Sequence, residues 1–242
     1  MISQVSSDSF PDGKKAYIAG MFDDIALKYD FLNHFLSFGI DNIWRKQLVN
    51  SFNSIHPEKI LDLATGTADL AIKIAQTFKT SKITGIDISE QMLRIGALKV
   101  EKNNLSDRIE LKIGDAENIE FADESFDAVI VAFGVRNYEN LNRGLTEMLR
   151  VLKSGGKLAI LEFSMPDNKK VLILYKIYFL TILPFIGRMI SKNFYAYKYL
   201  PISVNDFPDP PSFKIILQQI GFKDVKCKRL TFGICSLFTG IR

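Results

Sequence analysis

The 242-residue sequence is poor in the residues that build metal centres and disulfides. It has two cysteines, Cys227 and Cys235, and two histidines. The cysteines form no C-x-x-C pair and no metal-ligand spacing, which predicts reduced thiols in a cytosolic protein and no metal site. Met1–Lys15 lacks the apolar stretch of a secretory signal peptide, so we expect a cytoplasmic location.

Charge of one sign and uninterrupted apolar runs are also scarce. The net charge of +4 is too small to indicate a nucleic-acid partner. Val171–Ile190 is strongly apolar, but Lys176, Pro184 and Arg188 interrupt it, which argues against a transmembrane helix. Around it, the segment Met165–Leu200 has six basic residues against one acid and includes eight aromatic residues. We therefore expect an apolar pocket here and transient contact of residues 165–200 with the inner face of a membrane.

Glycine is sparse where a nucleotide-binding loop is expected. Lys59–Leu70 reads KILDLATGTADL, a buried strand, a turn around Gly66 and the start of a helix. A dinucleotide site needs G-x-G-x-x-G, and a P-loop needs Lys-Ser/Thr after its glycines. This loop has one glycine and no such lysine. The sequence therefore argues against a diphosphate ligand and favours S-adenosylmethionine (SAM). The alternative is that the loop binds no ligand and the start of the helix only packs on the sheet.

Acidic residues stand at the ends of the next two strands. Lys82–Asp87 is predicted to be a strand, and Asp87 is placed to accept both hydroxyls of a ribose. After a third strand, Asp115 and Ala116 are expected at the adenine end of the ligand. Gly66 and Thr67 are expected at the cofactor too, with Thr67 at its methionine end.

Strands and helices alternate along most of the chain, which predicts an α/β fold with a mainly parallel sheet. Gly155-Gly156 is expected to end the helix Asn140–Leu152, before a strand over Lys157–Phe163. Phe222–Leu230 and Thr231–Gly240 leave no room for a crossover, so these last two strands must be antiparallel. Seven strands are expected: Ile60–Ala64, Lys82–Asp87, Arg108–Ile113, Phe126–Phe133, Lys157–Phe163, Phe222–Leu230 and Thr231–Gly240.

We expect one domain with three parts. Helices in residues 15–55 cover a core formed by 56–164 and 206–242, and residues 165–205 form an inserted helical cap. Candidate side chains in the covering helices include His34, a candidate base, although a lone histidine is more often structural.

Three motifs resemble those of the ubiquinone/menaquinone biosynthesis C-methyltransferase family, a class I SAM-dependent methyltransferase family. They are Tyr29–Ser37 with Trp44-Arg45, the F-G-x-R-N of Phe133–Asn137, and Arg150–Leu158 continuing to Leu161–Ser164. The sequence departs from the family pattern at Thr65 and Ala68, where glycines are common, at Ala132, where some members have serine, and at Ser154, where proline is usual.

The resemblance implies methyl transfer from SAM to a ring carbon of a polyprenylated hydroquinone. Demethylmenaquinol is the favoured substrate, and the 2-polyprenyl-6-methoxy-benzoquinol of ubiquinone synthesis is the alternative. Arg136 would stabilise the phenolate, directly or through a water, because a guanidinium stays charged. Asn137 and Tyr197 or Tyr199 would hold the hydroquinone oxygens. No metal is required.

Two other functions remain open from the sequence alone. A nicotinamide-dependent oxidoreductase is opposed by the glycine pattern and the closing hairpin. A non-enzymatic peripheral lipid-binding protein is opposed by Thr67, Asp87 and Asp115, since a carrier needs no ribose acid. The sequence also leaves open whether two copies form a homodimer.

Overall fold

The computed structural model describes the backbone of residues 13–37, 39–178 and 194–242. It describes their side chains as well, except those of residues 31–36 and 194–198.

The described residues form one seven-stranded sheet, in the order β3-β2-β1-β4-β5-β7-β6. The strands are β1 Lys59–Leu63, β2 Lys82–Asp87, β3 Ile109–Ile113, β4 Phe126–Ala132, β5 Leu152–Phe163, β6 Lys223–Leu230 and β7 Cys235–Ile241. Strands β1 to β5 pair in parallel, and β7 runs antiparallel to both β5 and β6. The predicted class I architecture with an antiparallel closing hairpin is confirmed.

Helices flank the sheet, and several of them begin at residues whose side chains cap them. They are α1 Lys14–Leu36, α2 Ile40–Asn50, α3 Asp69–Thr77, α4 Glu90–Lys102, α5 Leu141–Val151, α6 Lys169–Ile177, α7 Phe194–Asp206 and α8 Pro210–Ile220. The side chains of Ser89, Asn140 and Asp209 accept backbone N–H groups at the starts of α4, α5 and α8. The described helices include none with both the length and the apolar character to cross a membrane.

Strand β5 begins earlier than the sequence indicates. The expected helix end at Gly155-Gly156 was wrong, because α5 ends at Val151 and both glycines lie within β5. Gly155 has φ of +75°, and the pairing register with β4 shifts here, so the glycines accommodate a bulge. The last strand also starts later than expected, at Cys235, since Thr231–Gly233 forms a 3-10 turn.

The core lies on both faces of the sheet. Successive strand residues point to opposite sides, as in β1, where Ile60 packs with α2 and α3 while Leu61 packs with α5 and α8. Burial on both faces explains the nearly continuous apolar runs of the central strands. The division into a helical cover, a core and a cap stays a prediction.

Substitution of Gly144 tests how closely α5 packs against the ring of Tyr138. A methyl group on Gly144 would stand 2.6 Å from Cδ2 of Tyr138. We expect Gly144→Ala to lower the free energy of unfolding by about 1–3 kcal/mol in urea titrations, because the overpacking outweighs the better helix propensity. Gly20→Ala is the matched control, since Gly20 is an exposed helical residue of α1 with nothing within 4 Å. Equal effects of the two variants would contradict this packing.

Candidate active site

A cavity lies between α1 and the carboxyl ends of the parallel strands, where ligands bind in open α/β sheets. This main cavity has about 700 Å³ of empty space, including its opening to solvent. Four of the residues expected at SAM line it: Gly66, Asp87, Asp115 and Ala116.

Asp87 fixes the glycine turn from the end of β2. Its Oδ2 accepts the Gly66 N–H at 2.8 Å, and its Oδ1 accepts the Ser89 N–H at 2.9 Å. Burial raises the pKa of Asp87, and the two backbone hydrogen bonds offset part of that rise. Each carboxylate oxygen can accept more than one hydrogen bond, so Asp87 can also receive ribose hydroxyls.

At the expected adenine end, Asp115 is engaged by a lysine of α1. Lys15 Nζ lies 2.5 Å from Asp115 Oδ2 and 3.8 Å from Glu117 Oε1. Burial lowers the pKa of Lys15, but the hydrogen bond and charge of Asp115 outweigh it, so the pKa is raised overall. No sequence pattern indicates this contact, because Lys15 follows a polar terminal segment with no motif.

Thr67 lies apart from the other expected cofactor residues. Its hydroxyl donates to Asp30 Oδ1 at 2.5 Å and accepts from Lys99 Nζ at 3.1 Å. Thr67 lines a smaller side recess that shares Gly66 with the main cavity. Its contact with SAM stays a prediction.

Helix α1 spans the loops that follow the first three strands. Lys15 binds Asp115 after β3, and Asp23 accepts the Ser89 hydroxyl after β2 at 2.6 Å. Asp30 accepts the hydroxyl of Thr67, which belongs to the loop after β1. These α1 residues are seven or eight positions apart, which is about two helical turns, so they share one face. That face closes one side of the main cavity.

Arg136 follows β4 in a short 3-10 helix and is held by a buried acid. Its Nη1 lies 2.9 Å from Oε1 of Glu162, and its Nε donates to Ser203 Oγ at 3.3 Å. The Glu162 side chain is fully buried and that of Arg136 is 7% exposed. Burial raises the pKa of Glu162, and the charge of Arg136 counteracts this rise. Glu162 was not among the predicted site residues; the signal that could have identified it is an acid within the apolar run of β5.

Arg136 and Asn137 face different spaces. Arg136 lines an outer cavity of about 670 Å³ of empty space, together with Tyr199 and Ser203. Asn137 lines the main cavity, and its Oδ1 accepts the Tyr199 hydroxyl at 3.1 Å. Burial raises the pKa of Tyr199 to about 12, so the phenol remains a donor. The hydrogen-bonded pair therefore stands at the boundary of the two cavities, with Asn137 lining the main cavity and Tyr199 the outer one.

Two other candidate side chains lie outside the described residues. The backbones of His34 and Tyr197 belong to α1 and α7, but their side chains are not among those described. Among the residues that are, no cluster of His, Cys, Asp or Glu is arranged to hold a metal ion.

Comparison with known proteins decides between the functions that the sequence leaves open. The model of the ubiE/COQ5 methyltransferase family matches residues 11–242. The chain belongs to this family. It is 44% identical to a demethylmenaquinone methyltransferase of Bacteroides fragilis, over 96% of this chain and 95% of that protein. It is 47% identical to the ubiquinone/menaquinone biosynthesis C-methyltransferase UbiE of Geotalea daltonii, over 92% and 95% of the two chains.

Solved structures share the fold at lower identity. A methyltransferase described as SAM-dependent from Methanococcus maripaludis has a TM-score of 0.62 at 21% identity, over 90% of this chain and 92% of that one. A methyltransferase from Bacillus halodurans has a TM-score of 0.59 at 18% identity, over 81% and 97%. Family membership confirms the predicted enzyme class and SAM as the cofactor. The residues of the main cavity fit SAM, since a carboxylate at the end of β2 faces the space beside the glycine turn.

Asp87 provides a direct test of the cofactor site. We expect Asp87→Ala to weaken SAM binding at least about tenfold in calorimetry, because hydrogen bonds to a charged acceptor contribute about 1.5–3 kcal/mol each. Asp87→Asn, which keeps one acceptor oxygen, should lose less. Glu110→Ala, at an exposed position on β3, is the control. SAM affinity that is unchanged in Asp87→Ala would rule out the ribose assignment.

Proposed function

We propose that the enzyme transfers the methyl group of SAM to a ring carbon of demethylmenaquinol. The observation that carries this proposal is the similarity, over nearly the whole chain, to proteins named demethylmenaquinone methyltransferase from Bacteroides fragilis and Porphyromonas gingivalis. Relatives from Geobacter and Geotalea are named for both ubiquinone and menaquinone synthesis. The benzoquinol of the ubiquinone pathway is therefore the second candidate substrate.

The chemistry requires an electron-rich ring carbon. SAM supplies a methyl group on a sulfonium, which is already a strong electrophile. A hydroquinone carbon becomes nucleophilic when a neighbouring hydroxyl ionises, and a free phenol has a pKa of about 10. The protein must therefore favour the phenolate, position the ring against the methyl group and accept the ring proton that leaves.

Arg136 is the residue best suited to favour the phenolate. Its guanidinium lies in a nearly dry position, where electrostatic stabilisation of a developing negative charge is strong. Glu162 orients it through the Nη1 contact, while Ser203 holds Nε. The outer cavity beside Arg136 would receive the ring, and the linked pair Asn137 and Tyr199 would hold the second oxygen at the boundary with the main cavity.

A competition assay tests the substrate. The purified enzyme is given methyl-labelled SAM with equal amounts of short-chain demethylmenaquinol and 2-polyprenyl-6-methoxy-benzoquinol, and mass spectrometry follows both products. We expect kcat/KM to favour the naphthoquinol by at least about tenfold, a difference of about 1.4 kcal/mol. Methylation of the benzoquinol alone would establish the second candidate, and labelling of neither ring would contradict the proposal.

Arg136 variants test the catalytic role. Arg136→Ala should lower kcat about 100-fold or more, a loss typical of removing one electrostatic stabiliser, while the Kd of SAM changes by about twofold or less. Arg136→Lys keeps the charge but loses the planar geometry, so we expect it to recover only part of kcat. Arg143→Ala, at an exposed position of α5, is the control. Near-normal turnover of Arg136→Ala would contradict the phenolate-stabilising role.

We also propose that α6 contacts the membrane that holds the prenylated substrate. Ile173, Leu174 and Ile177 are 58%, 67% and 52% exposed. Exposed lysines at 169, 170 and 176 accompany these apolar side chains. Apolar and basic side chains on one short helix are typical of surfaces that bind anionic lipids.

Vesicle sedimentation tests this contact. The enzyme should sediment with vesicles that contain phosphatidylserine and release at high salt, because each lysine near an anionic surface contributes about 1 kcal/mol. Changing Lys169, Lys170 and Lys176 to Gln should abolish most binding. Changing the exposed Lys102 of α4 together with Lys223 and Lys226 of β6 to Gln also removes three charges and is the matched control. No sedimentation of the wild-type enzyme at low salt would contradict membrane contact through α6.

A further inference from the structure

The main cavity and the outer cavity adjoin at one side chain. Loops after β1 to β4 line the main cavity, whereas Arg136 and residues of α7 line the outer one. Tyr138 is the only described residue that lines both cavities. Methyl transfer needs the reacting atoms about 3–3.5 Å apart. A ligand of the main cavity and a ligand of the outer cavity would therefore react beside Tyr138.

The hydroxyl of Tyr138 is buried and has no hydrogen-bond partner among the described residues. A buried hydroxyl of this kind is unfavourable, because it loses its hydrogen bonds to water and forms none within the protein. Folded proteins keep few such groups, and those they keep commonly serve a ligand, an ion or a catalytic step. The Tyr138 hydroxyl is therefore a donor whose acceptor a bound ligand can supply.

Contacts on two sides fix the position of Tyr138. Its ring lies so close to α5 that a methyl group on Gly144 would stand 2.6 Å from Cδ2. Its backbone carbonyl accepts Lys14 Nζ of α1 at 2.6 Å, and its N–H donates to the carbonyl of Val135 at 3.3 Å. A donor that is held in place before the reaction needs little reorganisation in the transition state, which makes it effective there.

Acidic side chains around Tyr138 keep its phenol protonated. Burial raises its pKa well above the ordinary value of 10, and four carboxylates raise it further, those of Asp87, Glu117, Glu162 and Asp115. A neutral phenol is a very weak base. Tyr138 is therefore unsuited to accept the ring proton, and its hydroxyl is left as a hydrogen-bond donor.

We propose that the Tyr138 hydroxyl donates a hydrogen bond to the ionised ring oxygen of the hydroquinone, next to the carbon that is methylated. The sulfonium of SAM is a cation and a poor acceptor, so the acceptor at this junction is an oxygen of the ring. This inference rests on the proposed function. It adds a second donor for the phenolate beside Arg136, whose charge Glu162 partly offsets.

Removal of one hydroxyl from the purified enzyme tests this inference. Tyr138→Phe should lower kcat for short-chain demethylmenaquinol at least about tenfold, because the phenolate loses a hydrogen bond to a charged acceptor. The Kd of SAM in calorimetry should change by about twofold or less. The midpoint of urea unfolding should stay the same or rise, since the variant lacks an unpaired buried hydroxyl. Tyr178→Phe, at a half-buried tyrosine that lines neither cavity, is the matched control and should change none of the three.

The three measurements together separate a role at the ring oxygen from the other roles of a buried tyrosine. Normal kcat in Tyr138→Phe would overturn the inference, and so would a loss of SAM affinity large enough to explain the lower activity. A lower urea midpoint together with lower kcat would also overturn it, because the hydroxyl would then support the fold. A wild-type enzyme that methylates no hydroquinone would instead contradict the proposed function on which the inference rests.

Discussion

Buried carboxylates along the carboxyl edge of the sheet hold the candidate site together. A buried carboxylate is costly unless donors surround it, so each of these acids draws in another part of the chain. Asp87 takes backbone N–H groups of Gly66 and Ser89, and Glu117 takes those of Glu139 and Asn140. The loop after β1 is thereby fixed to the end of β2, and the loop after β3 to the loop after β4, so these contacts shape the cavities without a ligand.

The same edge places the two halves of the reaction side by side. The glycine turn that suits SAM follows β1, and the acid Asp87 ends β2. Arg136 follows β4, and Glu162 lies in β5. These strands are adjacent in the sheet, since β4 lies between β1 and β5. The order of the strands therefore brings the electrophile and the group that activates the acceptor ring to neighbouring cavities.

Local sequence patterns predicted the fold well, but they did not predict side-chain contacts between residues that are distant in the sequence. The presence and order of the strands, caps such as Ser89 and the antiparallel closing hairpin follow from a few neighbouring residues. The partnership of Arg136 with Glu162 joins residues 26 positions apart, and that of Lys15 with Asp115 joins residues 100 apart. Nothing local specifies either contact. The predicted start of β5 is wrong because a glycine pair commonly ends a helix, whereas here the pairing of β5 with β4 uses Gly155 in a bulge.

Transfer of the ring methyl group of menaquinone can be followed in the source cells themselves, by mass spectrometry of quinones from cells that lack the protein. We expect demethylmenaquinone, lighter than menaquinone by one methylene, to accumulate there. The wild-type gene should restore menaquinone, whereas an Asp87→Ala copy should not. An unchanged menaquinone content in cells without the protein would show that this enzyme does not carry out the step.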